Sequence, residues 1–202
     1  MAPPARQILI AHTPASKPAT TIRSTVLQSS VASLRQRGHF ERWLTLVDPS
    51  HRETIVESLA PSWMPIEVAI AHYAACEALD LPSSEQVAMG EAVGDRIQGS
   101  FLTTLMKSAR AAGYNPLVLL SQFDRLYARL FQGGSVQLTQ TGPKDAEVEV
   151  RGMQTTRFPY FRLAFTGVVR AGILFSGVRV GYVKQGNYST ASDTLVMHAS
   201  WV

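Results

Sequence analysis

The chain of 202 residues has one cysteine, Cys76, so it can form no intramolecular disulfide and no cysteine-based zinc site. This points weakly to a reducing compartment. Long apolar runs are missing too. The opening stretch has a single short one, Ile8 to Ala11, flanked by prolines. A secretory signal needs roughly 7–15 consecutive apolar residues and a membrane-spanning helix about 18 or more. The expectation is a cytoplasmic protein with no membrane span, carrying a flexible N-terminal extension over residues 1–23.

Motifs for covalent chemistry are also lacking. No Gly-x-Ser-x-Gly is present, and Cys76 stands mid-helix with no evident activating group. The glycine pair Gly133-Gly134 leads from a helix into a strand. That is the reverse of the strand-to-helix order which aims backbone amides at a phosphate. These absences argue against an enzyme.

Acidic residues are absent from 151–192, which carries Arg151, Arg157, Arg162, Arg170, Arg179 and Lys184. Residues 40–95 carry ten acids against Arg42 and Arg52. Such halves can attract each other within the fold or between copies, so a homo-oligomer or a protein partner is one expectation. The basic residues are spread too widely, with no recognition motif, to indicate nucleic acid.

What is present is periodicity. Leu27, Val31 and Leu34 form a helical stripe that ends at Gly38, and Phe40, Trp43, Leu44 and Val47 repeat it. Further helices are expected from Pro65 to about Leu79, from Ser83 onward with Gly94 and Gly99 able to bend or divide it, and over 116–131. The period then drops to two. Val136 and Leu138, then Ala146, Val148 and Val150, give an antiparallel hairpin around Gly142-Pro143-Lys144-Asp145. A helix with Phe158, Phe161, Phe165, Val168 and Phe175 follows over 158–176. Two more strands complete the chain, the first with Val178, Val180 and Tyr182 on one face, the second with Leu195, Met197, Ala199 and Trp201.

The fold class is therefore α+β, an N-terminal helical half packed with a C-terminal β-β-α-β-β antiparallel sheet unit. It is expected as one domain over 24–202, helical over 24–132 and sheet-bearing over 135–202. The aromatic helix should lie against the dry face of a four-stranded layer.

His72 and Cys76 lie four residues apart on one helical face. Two ligands are too few for structural zinc, so no metal site is expected, although a single histidine would suffice for heme. Their neighbours Ile66, Ala69, Ile70 and Tyr73 favour a core role. His198 is out of phase with the last strand's apolar residues and should face outward, toward Arg179 or the acidic hairpin positions. The candidate apolar pocket consists of Phe101, Met106, Tyr127, Phe161 and Phe165, between the helices and the sheet.

The stretches "STVLQSSVASLRQRG", "LAPSWMPIEVAIAHYAACEAL", "PLVLLSQFDRLYARLFQGGSVQLTQTGPKDAEVEV" and "HASWV" resemble a paralogous family of about 200 residues from social, predatory deltaproteobacteria. The match runs in order over residues 24–202. That family in turn is similar to the heme–nitric-oxide-binding and vinyl-reductase-like sensor domains. The resemblance implies N-terminal helices over a C-terminal sheet, a small molecule between the layers, and sensing in place of turnover. Heme-binding relatives use a histidine on a helix leading toward the sheet, and residues 116–131 contain none. Their tyrosine-serine-arginine set for the heme propionates is absent as well, since Tyr188-Ser189 is followed by Thr190-Ala191. No cofactor is the leading expectation, with heme on His72 as the lesser one. The function read from all this is a sensor-like regulatory protein holding an apolar small molecule. The alternative is a self-associating or protein-interaction module whose pocket has filled with side chains.

Overall fold

The computed structural model describes residues 6–14, 16–59, 61–109 and 115–202, with side chains of 98–109 outside the description. The helical half starts with α1, Ser24–Gln36, which buries Leu27, Val31 and Leu34 and stops where Gly38 takes φ +76. Next come α2, Phe40–Leu46, and α3, Pro49–Glu57. The Asp48 carboxylate accepts from the Ser50 amide at 2.9 Å and caps α3. Then follow α4, Ile66–Glu77, and α5, Ser83–Ala109. Gly94 and Gly99 do not divide α5, which runs unbroken for 27 residues.

The single helix expected over 116–131 is two, α6, Pro116–Leu120, and α7, Phe123–Leu130. Ser121 donates its hydroxyl to the Val118 carbonyl and closes the first, and the chain turns at Gln122 before resuming. Pro116, Leu119 and Leu120 are buried together with Phe123, Leu126 and Tyr127, and this three-and-four spacing carries one apolar face across the turn.

The C-terminal half contains β5, Ser135–Gly142, β6, Asp145–Arg151, then α8, Pro159–Phe175, β7, Gly181–Ser189, and β8, Thr194–Trp201. All pairings are antiparallel, with β8 inserted between β6 and β7. Val136 faces Val150 and Leu138 faces Val148, the register that puts every apolar position of the hairpin on one side.

Three features depart from the sequence reading. The sheet has five strands: β1, Gln7–Ile10, adds to the free edge of β5. Lys17, Ala19 and Thr21–Arg23 of the supposed extension are also tied down. Gly134 donates to the Lys17 carbonyl at 2.6 Å, Ala19 donates to the Gly152 carbonyl at 2.7 Å, and β2, Thr21–Arg23, lies in a second sheet between β3, Trp63–Pro65, and β4, Phe131–Gln132. Strands of two or three residues are too short to show an alternation, so their pairing is set by long-range contact alone. A Cβ on Gly133 would come within 2.3 Å of the Pro18 carbonyl oxygen, so only glycine lets the N-terminal segment lie this close. Finally, β7 starts at Gly181, and Tyr182 is 55% exposed instead of facing the core. The partners of Trp201, Ala199 and Met197 are Gly181, Val183 and Gln185. The inward phase is therefore the odd-numbered one, because Ile173 of α8 occupies the space beside Gly181.

Helix α8 crosses α5 at backbone contact. A Cβ on Gly90 would lie 1.7 Å from the Ala164 carbonyl oxygen, and one on Gly167 would lie 2.1 Å from that of Val87. Arg170 of α8 pairs with Glu91 of α5 at the same crossing. This pair joins one base of residues 151–192 to one acid of residues 40–95 within the fold.

The candidate ligand cavity and the polar cluster behind it

Because its small residues face α5, α8 presents its large rings elsewhere. Phe161 and Phe165 stack at 5.4 Å between centroids, Phe161 meets Tyr73 of α4 edge-on at 4.8 Å, and Phe165 lies 6.2 Å from Phe123 of α7. Between α1, α4, α5, α7 and α8 these rings surround an apolar cavity of about 40 Å³, measured as space open to the centre of a water-sized sphere. A single water needs about 10–15 Å³ on that measure, so the space suits one small apolar molecule.

Of the five residues expected at the pocket, Tyr127, Phe161 and Phe165 line this cavity. Phe101 and Met106 lie on α5 within the stretch whose side chains fall outside the described residues. Phe161 and Phe165, expected to roof the sheet, look sideways into the cavity, and Ile173 and Arg162 of α8 meet the sheet. The guanidinium of Arg162 sits 3.9 Å over the Tyr188 ring and donates to the Thr156 carbonyl at 2.9 Å. Sequence reasoning missed Ser30, Tyr73, Met89, Phe123 and Tyr160 as cavity residues. A signal existed for one of them, since Ser30 interrupts the apolar stripe of Leu27, Val31 and Leu34.

Ser30, Tyr73, Tyr127 and Tyr160 bring hydroxyl groups to the cavity lining. The Tyr160 hydroxyl donates toward the Met89 sulfur at 3.4 Å, and burial pushes its pKa up, so the phenol stays neutral. The Ser30 hydroxyl bonds at 2.9 Å to Nε2 of His72. His72 is fully buried, with its ring against Trp43 and Tyr73 at 5.4 and 4.9 Å. Burial drives its pKa down to about 3, so the imidazole is neutral at physiological pH. Its Nδ1 has no hydrogen-bond partner. Cys76 lies 3.5 Å from Nε2, and burial pushes its thiol pKa up, the reverse of an activated thiolate. His72 and Cys76 are thus packed together in the core. No three His, Cys, Asp or Glu side chains converge among the described residues.

On the far side of the sheet His198 faces outward, 57% exposed, with Nδ1 at 3.6 Å from the Glu147 carboxylate across the β6–β8 pair. It faces the acidic hairpin position, one of the two sides its strand phase allowed.

A helical half closed against α8 and an antiparallel sheet, with an apolar cavity at the junction, defines an α+β domain of two parts. No family model matches the chain, and no curated protein matches it. Among solved structures the chain is similar to the Fe(II) unliganded H-NOX protein from K. algicida, with a TM-score of 0.66 at 7% identity, covering 90% of this chain and 97% of that one. It is also similar to an oxygen-binding H-NOX domain related to soluble guanylate cyclases, in its oxygen complex, with a TM-score of 0.55 at 13% identity over 88% of this chain and 94% of that one. The protein has the fold of an H-NOX domain, the heme–nitric-oxide-binding class that the sequence resembles.

The residues present do not fit heme. No histidine lines the cavity among the described residues, and the one nearby, His72, has Nε2 engaged by Ser30 and lies behind the cavity wall. A macrocycle would also have to displace the packed rings of Phe161, Phe165 and Phe123, since the open space holds only a few waters' worth of volume.

Proposed function

We propose that the protein is a non-enzymatic, cytoplasmic sensor-like module that takes a small apolar molecule into the cavity beside α8 without heme. The observation that carries this reading is the cavity itself. It is lined by aromatic and aliphatic side chains at the junction of five helices. An apolar void of this kind stays dry and favours an apolar guest, which restores dispersion contacts that the lining lacks. Occupancy would bias the packing of α7 and α8, the two elements that join the helical half to the sheet. No helix among the described residues is long and apolar enough to cross a membrane.

Crystals pressurised with xenon test this directly. A xenon peak ringed by Phe161, Phe165 and Phe123 is expected, together with a rise in Tm on adding cyclopentane, because a guest that binds only the native state stabilises it by mass action. An empty cavity and an unchanged Tm would overturn the proposal. Protein purified from its own host should be colourless, and a Soret band would refute the heme-free reading.

A further inference from the structure

A groove of about 570 Å³ runs over the outer side of the cavity wall, between α1, α5 and α7. Ile97, Leu126 and Leu130 line both spaces and form the partition between them. Three guanidinium side chains, Arg23, Arg96 and Arg129, line the groove, and no carboxylate lines it among the described residues. Two of the three are held in place by neutral partners. Arg23 stacks 3.9 Å above the Trp63 ring and donates to the Pro61 carbonyl at 3.4 Å. Arg96 donates to the Ser29 carbonyl at 3.0 Å and to the Gln36 amide oxygen at 2.6 Å. Carbonyls and a ring face orient a guanidinium without cancelling its charge, whereas Arg6, Arg151 and Arg170 are matched to glutamates.

Oriented cations beside an apolar wall, with an apolar cavity behind it, present two chemistries to one ligand. We infer that the groove binds the carboxylate of an amphipathic acid, whose apolar tail lies over Ile97, Leu126 and Leu130 and reaches into the cavity when those side chains turn aside. The inference rests on the cavity being a ligand site, and it adds the ligand's class. Arginine forks match carboxylate geometry in two-pronged hydrogen bonds, which favours an acid over an alcohol of the same length. The partly solvated setting keeps the advantage moderate and dependent on salt.

Decanoate, decanol and decylammonium, titrated separately by calorimetry, provide the test. Decanoate should bind roughly tenfold tighter than decanol at low salt, which corresponds to about one charge-assisted hydrogen bond, and decylammonium should bind more weakly than either. Arg96 and Arg129 are both exposed, so Arg96→Gln and Arg129→Gln should fold normally. Each should lower decanoate affinity roughly three- to tenfold and leave decanol unchanged. Equal binding of decanoate and decanol, or an acid preference that survives the double substitution, would overturn the inference while leaving the cavity reading intact. Failure of decanol, decanoate and xenon alike would remove both.

Discussion

Lowering the pH should weaken this protein through one residue more than any other. His72 has an ordinary pKa of 6.5 in the unfolded chain and one driven down to about 3 in the fold, with burial as the cause. Below about pH 6.5 the unfolded chain takes up a proton that the native state refuses. Stability therefore falls as pH drops from there toward about 3, and is unaffected by this group above 6.5. Each pH unit in that window costs about 1.4 kcal/mol. Going from about pH 7.5 to about pH 5 crosses some one and a half units of it, a loss of about 2 kcal/mol. That is a large share of the roughly 5–15 kcal/mol typical of a folded domain. The assay is urea unfolding at both pH values at fixed ionic strength, on the wild type and on His72→Gln, which keeps an amide near Ser30 but cannot titrate. The wild type should lose about 2 kcal/mol more than the variant. Equal losses would refute the reasoning. Should the variant fold poorly, the proton NMR signal of the His72 ring decides independently. It should not shift between about pH 8 and pH 5, and a midpoint near 6.5 would show that the imidazole is open to solvent.

Two other expectations concern packing and reactivity. Gly90→Ala and Gly167→Ala each gain up to about 1 kcal/mol of helix propensity but force a methyl into main-chain atoms of the facing helix, so a net loss of about 1–3 kcal/mol is expected by chemical unfolding. Gly94→Ala, whose Cβ would meet the Ala171 methyl at 2.8 Å, should cost less, and a stabilised Gly90 variant would contradict the α5–α8 geometry. Cys76 is fully buried with its thiol pKa raised, so Ellman's reagent should label it only in denaturant; labelling of the native protein at a free-thiol rate would count against the core assignment.

The helices and the main hairpin could be read from local pattern because each buries a single face and its period survives in the residues. Leu27, Val31 and Leu34 repeat along α1, Val136 and Leu138 alternate on β5, and Leu195, Met197, Ala199 and Trp201 alternate on β8. Cavity residues on those elements, Phe161 and Phe165, could be named for the same reason. Groups contributed from the opposite side, such as Ser30, Tyr73 and Phe123, could not.

By itself the sequence determined the fold class, the outward phase of His198, and the lack of an intramolecular disulfide, since each depends on residue type and spacing along the chain. Tertiary structure alone decided the rest. It placed β1 on the sheet edge and paired Thr21–Arg23 with two strands far along the chain, because a three-residue strand has no period to show. It also turned Phe161 and Phe165 of α8 toward the neighbouring helices. Gly90, Gly94 and Gly167 draw α5 onto the small face of that helix, and its large rings are left facing the remaining space, the cavity.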